Sequence, residues 1–303
     1  MRIVFMGTPD FAVPSLDALA ENGYEIVGVI TQPDRPAGRG HKLVPPPVKA
    51  RALELGIPVF QFERLRAQEG YDCLCALEPD VVVTAAFGQI LSKRLLAVPK
   101  FGTVNVHASL LPRHRGAAPI NWAIILGDKV AGVTTMLTDA GVDTGAMLLK
   151  AETPIGEEED AGQLTERLSH MGADLLIETL KNLDSITPVP QNEAEMTHEP
   201  MLSREIGEID FNKPAQEIIN LVRGVTPWPG ARCGALKVYR VRSAEGSGEA
   251  GVVLRADAKG GLIVACADGA VELVEIQAPN AKRMEARAYL LGKRITVGER
   301  LNI

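Results

Sequence analysis

Residues 2–31, RIVFMGTPDFAVPSLDALAENGYEIVGVIT, decide the fold class. Arg2–Met6 is a short apolar run suited to a strand buried inside a parallel sheet. Residues 10–22 carry Phe11, Leu16, Leu19 and Ala20 near helical spacing, and Gly23 ends that run. Residues 25–31 are a second β-branched run. The alternation continues with helix over 48–56, strand 58–60, helix 65–77, strand 80–84, helix 92–97, strand 103–107 and helix 119–126. Strands at 133–137 and 146–155 and the amphipathic run 161–183 complete it. Such a pattern predicts an α/β unit with a doubly wound, mostly parallel sheet. Ligands of such sheets sit beyond the carboxyl ends of strands.

Beyond this unit the texture changes. Residues 189–205 are polar, Pro-containing and aperiodic, as an interdomain crossing is. After them come one helix (214–223) and short β-rich runs at 233–241, 251–256, 262–267 and 271–276, a spacing that suits a small β-barrel. The expected division is therefore 1–188, a linker 189–205, and 206–303.

The 303 residues are 46% hydrophobic and 23% charged, ordinary for a folded chain of two domains. The opening apolar run breaks at Gly7-Thr8-Pro9-Asp10, which argues against a secretion signal. The most apolar interior stretch, 81–91, is far short of the roughly 20 residues a membrane helix needs. A cytoplasmic protein without membrane contact is expected. Cys73, Cys75, Cys233 and Cys266 lack both a disulfide framework and zinc spacing, so they are read as small buried hydrophobes. No metal site is visible. Net charge is −6, yet residues 206–303 hold 14 Lys and Arg against 11 Asp and Glu, a weak pointer to a polyanionic partner there.

Chemistry concentrates after two strands. The turn 7–11 follows a strand but lacks G-x-G-x-x-G, and Pro9 removes an N–H that a pyrophosphate would use. Asn105-Val106-His107 is more informative, because residues two apart in a strand project from one face. A Pro- and Gly-rich loop, Ser109 to Ile120, follows. Asp139-Ala140-Gly141-Val142-Asp143-Thr144-Gly145 puts a carboxylate on a Gly-flanked loop after another strand. If neighbouring strands bring Asn105, His107 and Asp143 together, the set of amide donor, acid–base group and carboxylate suits acyl or formyl transfer.

MGTPDFAVPSL, TQPDRPAGRG, NVHASLLPRHRGAAPI, DAGVDTG and VTPWPGA occur in the order expected of the methionyl-tRNA formyltransferase family, which the chain resembles over nearly its whole length. The resemblance implies a Rossmann-like formyltransferase domain followed by an OB-like β-barrel. It implies transfer of the formyl group of 10-formyltetrahydrofolate to the methionine amine of initiator methionyl-tRNA, a step of translation initiation, by a monomer needing no metal. It carries Asn105, His107 and Asp143 onto catalytic positions, and Ser109, Leu110, Leu111 and Pro112 onto a folate-contacting segment. Phe87, Gly88, Gln89 and Ile90 fall on the pterin-lining stretch, Phe11 near the methionine side chain, and Arg39 in the loop that enters the acceptor stem. Asn105 and His107 would donate to the developing oxyanion, while Asp143 orients His107 and accepts the amine proton.

Two departures stand out. His114 replaces an expected aromatic, and the linker, with Glu193, Glu195, Glu199 and Glu205, is more acidic than a tRNA-contacting crossing should be. Residues 34–51 hold Arg35, Arg39, Lys42, Lys49 and Arg51 against one acid, Asp34. Their glycines and prolines predict a flexible basic projection able to neutralise phosphates. In the C-terminal part, Arg223, Lys237, Arg240, Arg242, Lys282, Arg283, Arg287, Lys293 and Arg294 could follow a tRNA backbone, with Lys237 and Tyr239 on one strand face and Arg240 and Arg242 on the other. Trp228 reads as a packing anchor. Competing readings are a formyltransferase for sugar nucleotides or purine precursors, which would need neither residues 32–49 nor 206–303, and a non-catalytic RNA-binding protein.

Overall fold

The computed structural model describes residues 1–37 and 42–301. The first stretch of chain runs β1 (Arg2–Gly7), α1 (Val13–Glu21), β2 (Glu25–Thr31), β3 (Arg35–Ala37), β4 (Lys42–Val44), α2 (Pro47–Glu54), β5 (Val59–Gln61), α3 (Gln68–Ala76) and β6 (Val81–Ala85). It continues through α4 (Lys93–Leu96), β7 (Thr103–His107), β8 (Arg115–Gly116), α5 (Pro119–Ile125), β9 (Val130–Leu137), β10 (Met147–Pro154), α6 (Ala161–Lys181) and β11 (His198–Glu199). The remainder is α7 (Ala215–Gly224), β12 (Ala231–Cys233), β13 (Leu236–Ala244), β14 (Val253–Asp257), β15 (Gly261–Cys266), β16 (Gly269–Gln277), β17 (Met284–Glu285) and α8 (Ala286–Gly292).

Two compact units result. The described residues of 1–116, 131–153 and 165–199 form one, and those of 117–130, 154–164 and 200 onward form the other. The first is built on a seven-stranded sheet in the order β10-β9-β7-β6-β1-β2-β5. Strands β1, β2, β5, β6 and β7 are parallel, and β7 pairs with β9 antiparallel. Ile3, Val4, Phe5 and Met6 are all fully buried, so β1 is covered on both faces, which is why its sequence is a continuous apolar run. Val4 and Met6 pack with Ile30, Leu74, Val82 and Leu95.

Residues 35–37 and 42–44 depart from the expected irregular projection. β3 and β4 form a short antiparallel pair, with Arg35 opposite Val44 and Pro36 opposite Leu43. Alternate residues of an antiparallel pair turn their N–H away from the partner strand, and proline, which has no N–H, is accommodated at such edge positions. The basic residues are also largely committed. Lys49 bonds Asp34 and Gln61, Arg35 bonds Glu63, and Arg51 bonds Asp17 and Glu54. Lys49 holds the Asp34 carboxyl below its usual range. Lys42 is exposed. Arg39 lies outside the described residues.

The second unit carries an antiparallel sheet in the order β12-β13-β16-β15-β14, with β17 added to β16. Its core gathers Leu236, Val238, Leu262, Val264, Leu273 and Ile276 with Ile218, Val222 and Val225. The 4- and 3-residue spacing of the last three is one helical stripe of α7 and the turn after it. β13 is not regular: its register against β16 shifts on both sides of Arg240. The bulge lets Val238 and Val241, three apart, both face the core. Lys237, Arg240 and Arg242 are thereby all exposed, which corrects the two-faced distribution expected from simple alternation. Trp228 is also not the anchor expected. It is 55% exposed, and Val225 and Thr226 supply the buried end of that turn.

No described helix is long and apolar enough to cross a membrane. Replacing Phe5 by Ala removes a fully buried ring from the centre of the sheet. The expected loss is about 3–5 kcal/mol in chemical denaturation of the full chain.

Candidate active site

β7 and its neighbours set the first two side chains. Asn105 and His107 project from one face, and Thr84, on the adjacent β6, is paired with Asn105 in the ladder. The Thr84 hydroxyl donates to Asn105 Oδ1 at 2.8 Å, so the amide nitrogen points the other way. Asn105 Nδ2 has no hydrogen bond among the described residues, and Asn105 is half-buried. The amide is therefore oriented as a donor with its partner still to come. The motif drew attention to Asn105 and missed Thr84, although strands 80–84 and 103–107 were both visible in sequence.

His107 is buried and held from two sides. Nε2 lies 3.0 Å from the His114 carbonyl, which can only accept, so Nε2–H donates there. Nδ1 faces Asp143 Oδ1 at 3.6 Å, beyond hydrogen-bond length. The other carboxylate oxygen, Oδ2, accepts the Gly116 N–H at 2.9 Å. Asn105, His107 and Asp143 thus come together, all within the first unit.

Asp143 reaches this position by an unexpected route. Because β9 runs antiparallel to β7, with Leu137 opposite Val104, its loop begins near the amino end of β7 rather than beside His107. His107 is three residues further, roughly 10 Å at about 3.3 Å per residue, so the loop folds back along the strand. Asp139 Oδ1 accepts from the Gly141 N–H and the Thr144 hydroxyl, which tightens the loop. A Cβ on Gly145 would lie 1.7 Å from the Leu137 carbonyl, so only glycine fits there. Asp143 itself has φ 53, the left-handed region. Gln191 Nε2 donates to the carbonyls of both Asp143 and Gly145.

The segment 191–199 does more than cross between units. Arg115, whose side chain is 3% exposed, bonds Gln191 and makes a two-pronged contact with Glu193 at 2.7 and 3.1 Å. β8 pairs in parallel with β11. Glu199 Oε1 lies 3.1 Å from His114 Nδ1, both side chains being buried. Two of the linker acids that looked anomalous beside an RNA substrate therefore serve the first unit's own loop.

The remaining sequence candidates divide. Ser109 is buried, its hydroxyl donating to the Arg113 carbonyl and its own carbonyl accepting from Thr134. Leu111 and Pro112 are buried and Leu110 half-buried. Lys150 Nζ donates to the Leu111 carbonyl. Both ends of the Gln89 amide are used, on the Leu65 N–H and the Phe62 carbonyl. Phe87 is 5% exposed and its carbonyl accepts from Thr8 and Gln32, whereas Ile90 is 66% exposed and Gly88 is open. Phe11 is buried in the 3₁₀ turn Asp10–Ala12 that precedes α1.

Residues 1–180 match the formyl transferase family and residues 201–294 its C-terminal domain. Methionyl-tRNA formyltransferases of Citrifermentans bemidjiense and Pelobacter propionicus are 50% and 51% identical, each over 98% of this chain and 95% and 94% of their own. The chain belongs to the methionyl-tRNA formyltransferase family. Among solved structures, a sugar 3N-formyltransferase (TM-score 0.70, 19% identity, 93% of this chain and 99% of that one) shares its fold. So does HypX from Aquifex aeolicus (0.65, 17%, 97% and 49%). The family's two-domain pattern agrees with a mostly parallel sheet followed by an antiparallel one.

Arg115 holds the Glu193 carboxyl below its ordinary range. A lowered folded-state value stabilises above the unfolded value, about 4.3, and that contribution disappears as pH falls through the lowered one. Wild type should therefore exceed Glu193→Gln in thermal stability at neutral pH. The gap should narrow as pH falls below the unfolded value and close only once pH is below the lowered folded-state one, where both variants are uncharged at this position.

Proposed function

We propose that this protein transfers the formyl group of 10-formyltetrahydrofolate to the methionine amine of initiator methionyl-tRNA, in the cytoplasm, at the start of translation. The observation that carries the reading is half-identity to methionyl-tRNA formyltransferases along the full length, carboxyl-terminal sheet included. The folate donor fits the residues present: Asn105 offers an uncommitted N–H, and Ile90 offers exposed apolar surface for a pterin ring. The donor supplies a formyl carbon already activated for attack.

The rest of the chemistry falls to side chains. Asn105 Nδ2, aimed by Thr84, donates to the formyl oxygen as negative charge develops on it. Asp143 is the acceptor for the proton that the attacking amine must lose, and it can return that proton to the donor nitrogen, which leaves as its bond to the formyl carbon breaks. His107 Nε2 is committed to the His114 carbonyl, so its donation to the oxyanion requires that bond to yield. In the arrangement described, the Gly116 N–H holds one oxygen of Asp143, and His107 Nδ1 faces the other at 3.6 Å.

For the RNA, Lys42 and Arg39 on residues 34–51 are the groups proposed to reach the acceptor stem. In the carboxyl-terminal unit, Arg240, Arg242, Arg283 and Arg287 are paired with Glu285, Glu272 and Glu275. Arg223 is spent on the carbonyls of Glu159 and Gly156. Lys237, Lys282, Lys293 and Arg294 are exposed and have no ion pair among the described residues, and are the phosphate contacts proposed here.

The deciding measurement is single-turnover formylation with 10-formyltetrahydrofolate and methionyl-initiator tRNA. Formyl-methionyl-tRNA is expected, and transfer to a sugar nucleotide or free methionine with equal efficiency would overturn the reading. Asn105→Ala should cost about 10²–10³ in rate. Asp143→Asn should cost more with folate affinity nearly unchanged, since an amide cannot both accept from Gly116 and take a proton. Turnover near wild type in Asp143→Asn would refute the assignment.

A further inference from the structure

We propose that Glu199 is a positioning residue for formyl transfer, acting through His114 on the ring of His107; the inference rests on the formyltransferase reading above. Glu199 does not touch the reacting atoms. Its Oε1 meets His114 Nδ1 at 3.1 Å, with side-chain exposures of 11% and 4%. A carboxylate this enclosed is costly unless paired, and His114 is the group it meets. Through that contact Glu199 fixes the His114 side chain, and with it the peptide whose carbonyl holds His107 Nε2 at 3.0 Å.

The backbone at His114 needs such a hold. Its φ is 56, a left-handed conformation that residues bearing side chains rarely keep without surrounding contacts. Those contacts come from the segment that carries Glu199. The His114 N–H donates to Thr197 Oγ1 at 2.8 Å, and the Arg115 N–H donates to the Thr197 carbonyl at 2.9 Å. In the β8–β11 pair, Gly116 lies opposite Glu199. A Cβ on Gly116 would fall 2.8 Å from the Glu199 carbonyl, which shows how tightly the strands meet. Gly116 also delivers its N–H to Asp143. One three-residue stretch therefore sets both groups around His107: the His114 carbonyl on Nε2 and, through Gly116, the carboxylate facing Nδ1. Loosening the Glu199 contact frees the His107 ring to turn away from Asp143 while the substrate-binding surfaces stay as they are.

The test compares Glu199→Ala, which deletes the acceptor, with Glu199→Gln, which keeps an oxygen for His114 Nδ1–H and removes only the charge. Steady-state kinetics on the full chain and ¹⁵N spectra of the His107 ring in substrate-free protein are the two readouts. Glu199→Ala should lower kcat about 10- to 100-fold, with KM for tRNA and for folate within about threefold of wild type. It should also shift the His107 ring signals. Glu199→Gln should rescue both kcat and the signals. If Glu199→Ala does not fold, Glu199→Asp, which withdraws the carboxylate by one methylene, should show the same loss. Wild-type kcat with unmoved His107 signals in a folded Ala or Asp variant would overturn the proposal, as would a Gln variant as impaired as Ala. Should the wild type fail to formylate methionyl-tRNA, the functional reading falls, and the substrate-free spectra still decide the positioning claim.

Discussion

The imidazole of His107 sits between two acceptors, the His114 carbonyl at Nε2 and the Asp143 carboxylate facing Nδ1. Neither acceptor belongs to the strand that carries His107, and each is delivered by a loop whose backbone is left-handed at the delivering residue. Such conformations cost of order 1–3 kcal/mol each and persist only where neighbouring contacts over-determine them. Here the contacts come from residues 191–199: Gln191 on the Asp143 loop, Thr197 and Glu199 on His114, and Glu193 and Gln191 on Arg115. A stretch with the composition of a linker thus closes the site.

The sheet imposes the other constraint. Parallel β6 and β7 put Thr84 beside Asn105, and that pairing alone aims the amide. Antiparallel β9 then forces the Asp143 loop to travel back along β7, which explains its demand for glycine at 145, where the chain passes against the Leu137 carbonyl. A parallel β9 would have left its loop at the carboxyl end of β7 with no such crowding. The glycine is therefore a consequence of strand direction, and so is the close fit of the loop.

Much of this was legible in sequence. Arg2–Thr31 identified the sheet because burial on both faces leaves an unmistakable apolar run, and Asn105 and His107 were found because a period of two is a strong local rule. What stayed hidden depends on pairing. The direction of β9, the bulge in β13 and the partner of Asn105 are set between strands, and no local pattern encodes them. The acidic linker misled for a related reason. Composition suggested repulsion from RNA, but Glu193 and Glu199 answer Arg115 and His114, some 80 residues earlier. The departure noted at His114 was itself the signal: a polar ring where an aromatic is expected needs a polar partner if it is buried.

Ion pairing also sets the electrostatics of the carboxyl-terminal unit. An arginine already paired with a carboxylate gains little from a phosphate, because it must first give up an equivalent partner, whereas an unpaired lysine releases counterions on contact. In the carboxyl-terminal unit, Glu272 is 6% exposed and is held by Arg242 and Arg287 together, so those two arginines answer a buried charge. Arg283 is tied to Glu275 and lies over the Tyr239 ring at 4.2 Å. The basic count of residues 206–303 therefore overstates their attraction for a polyanion. What remains is a few exposed cations, chiefly lysines, on a chain of net charge −6. That balance favours recognition that depends on shape and on the reacting end of the substrate over indiscriminate affinity for nucleic acid.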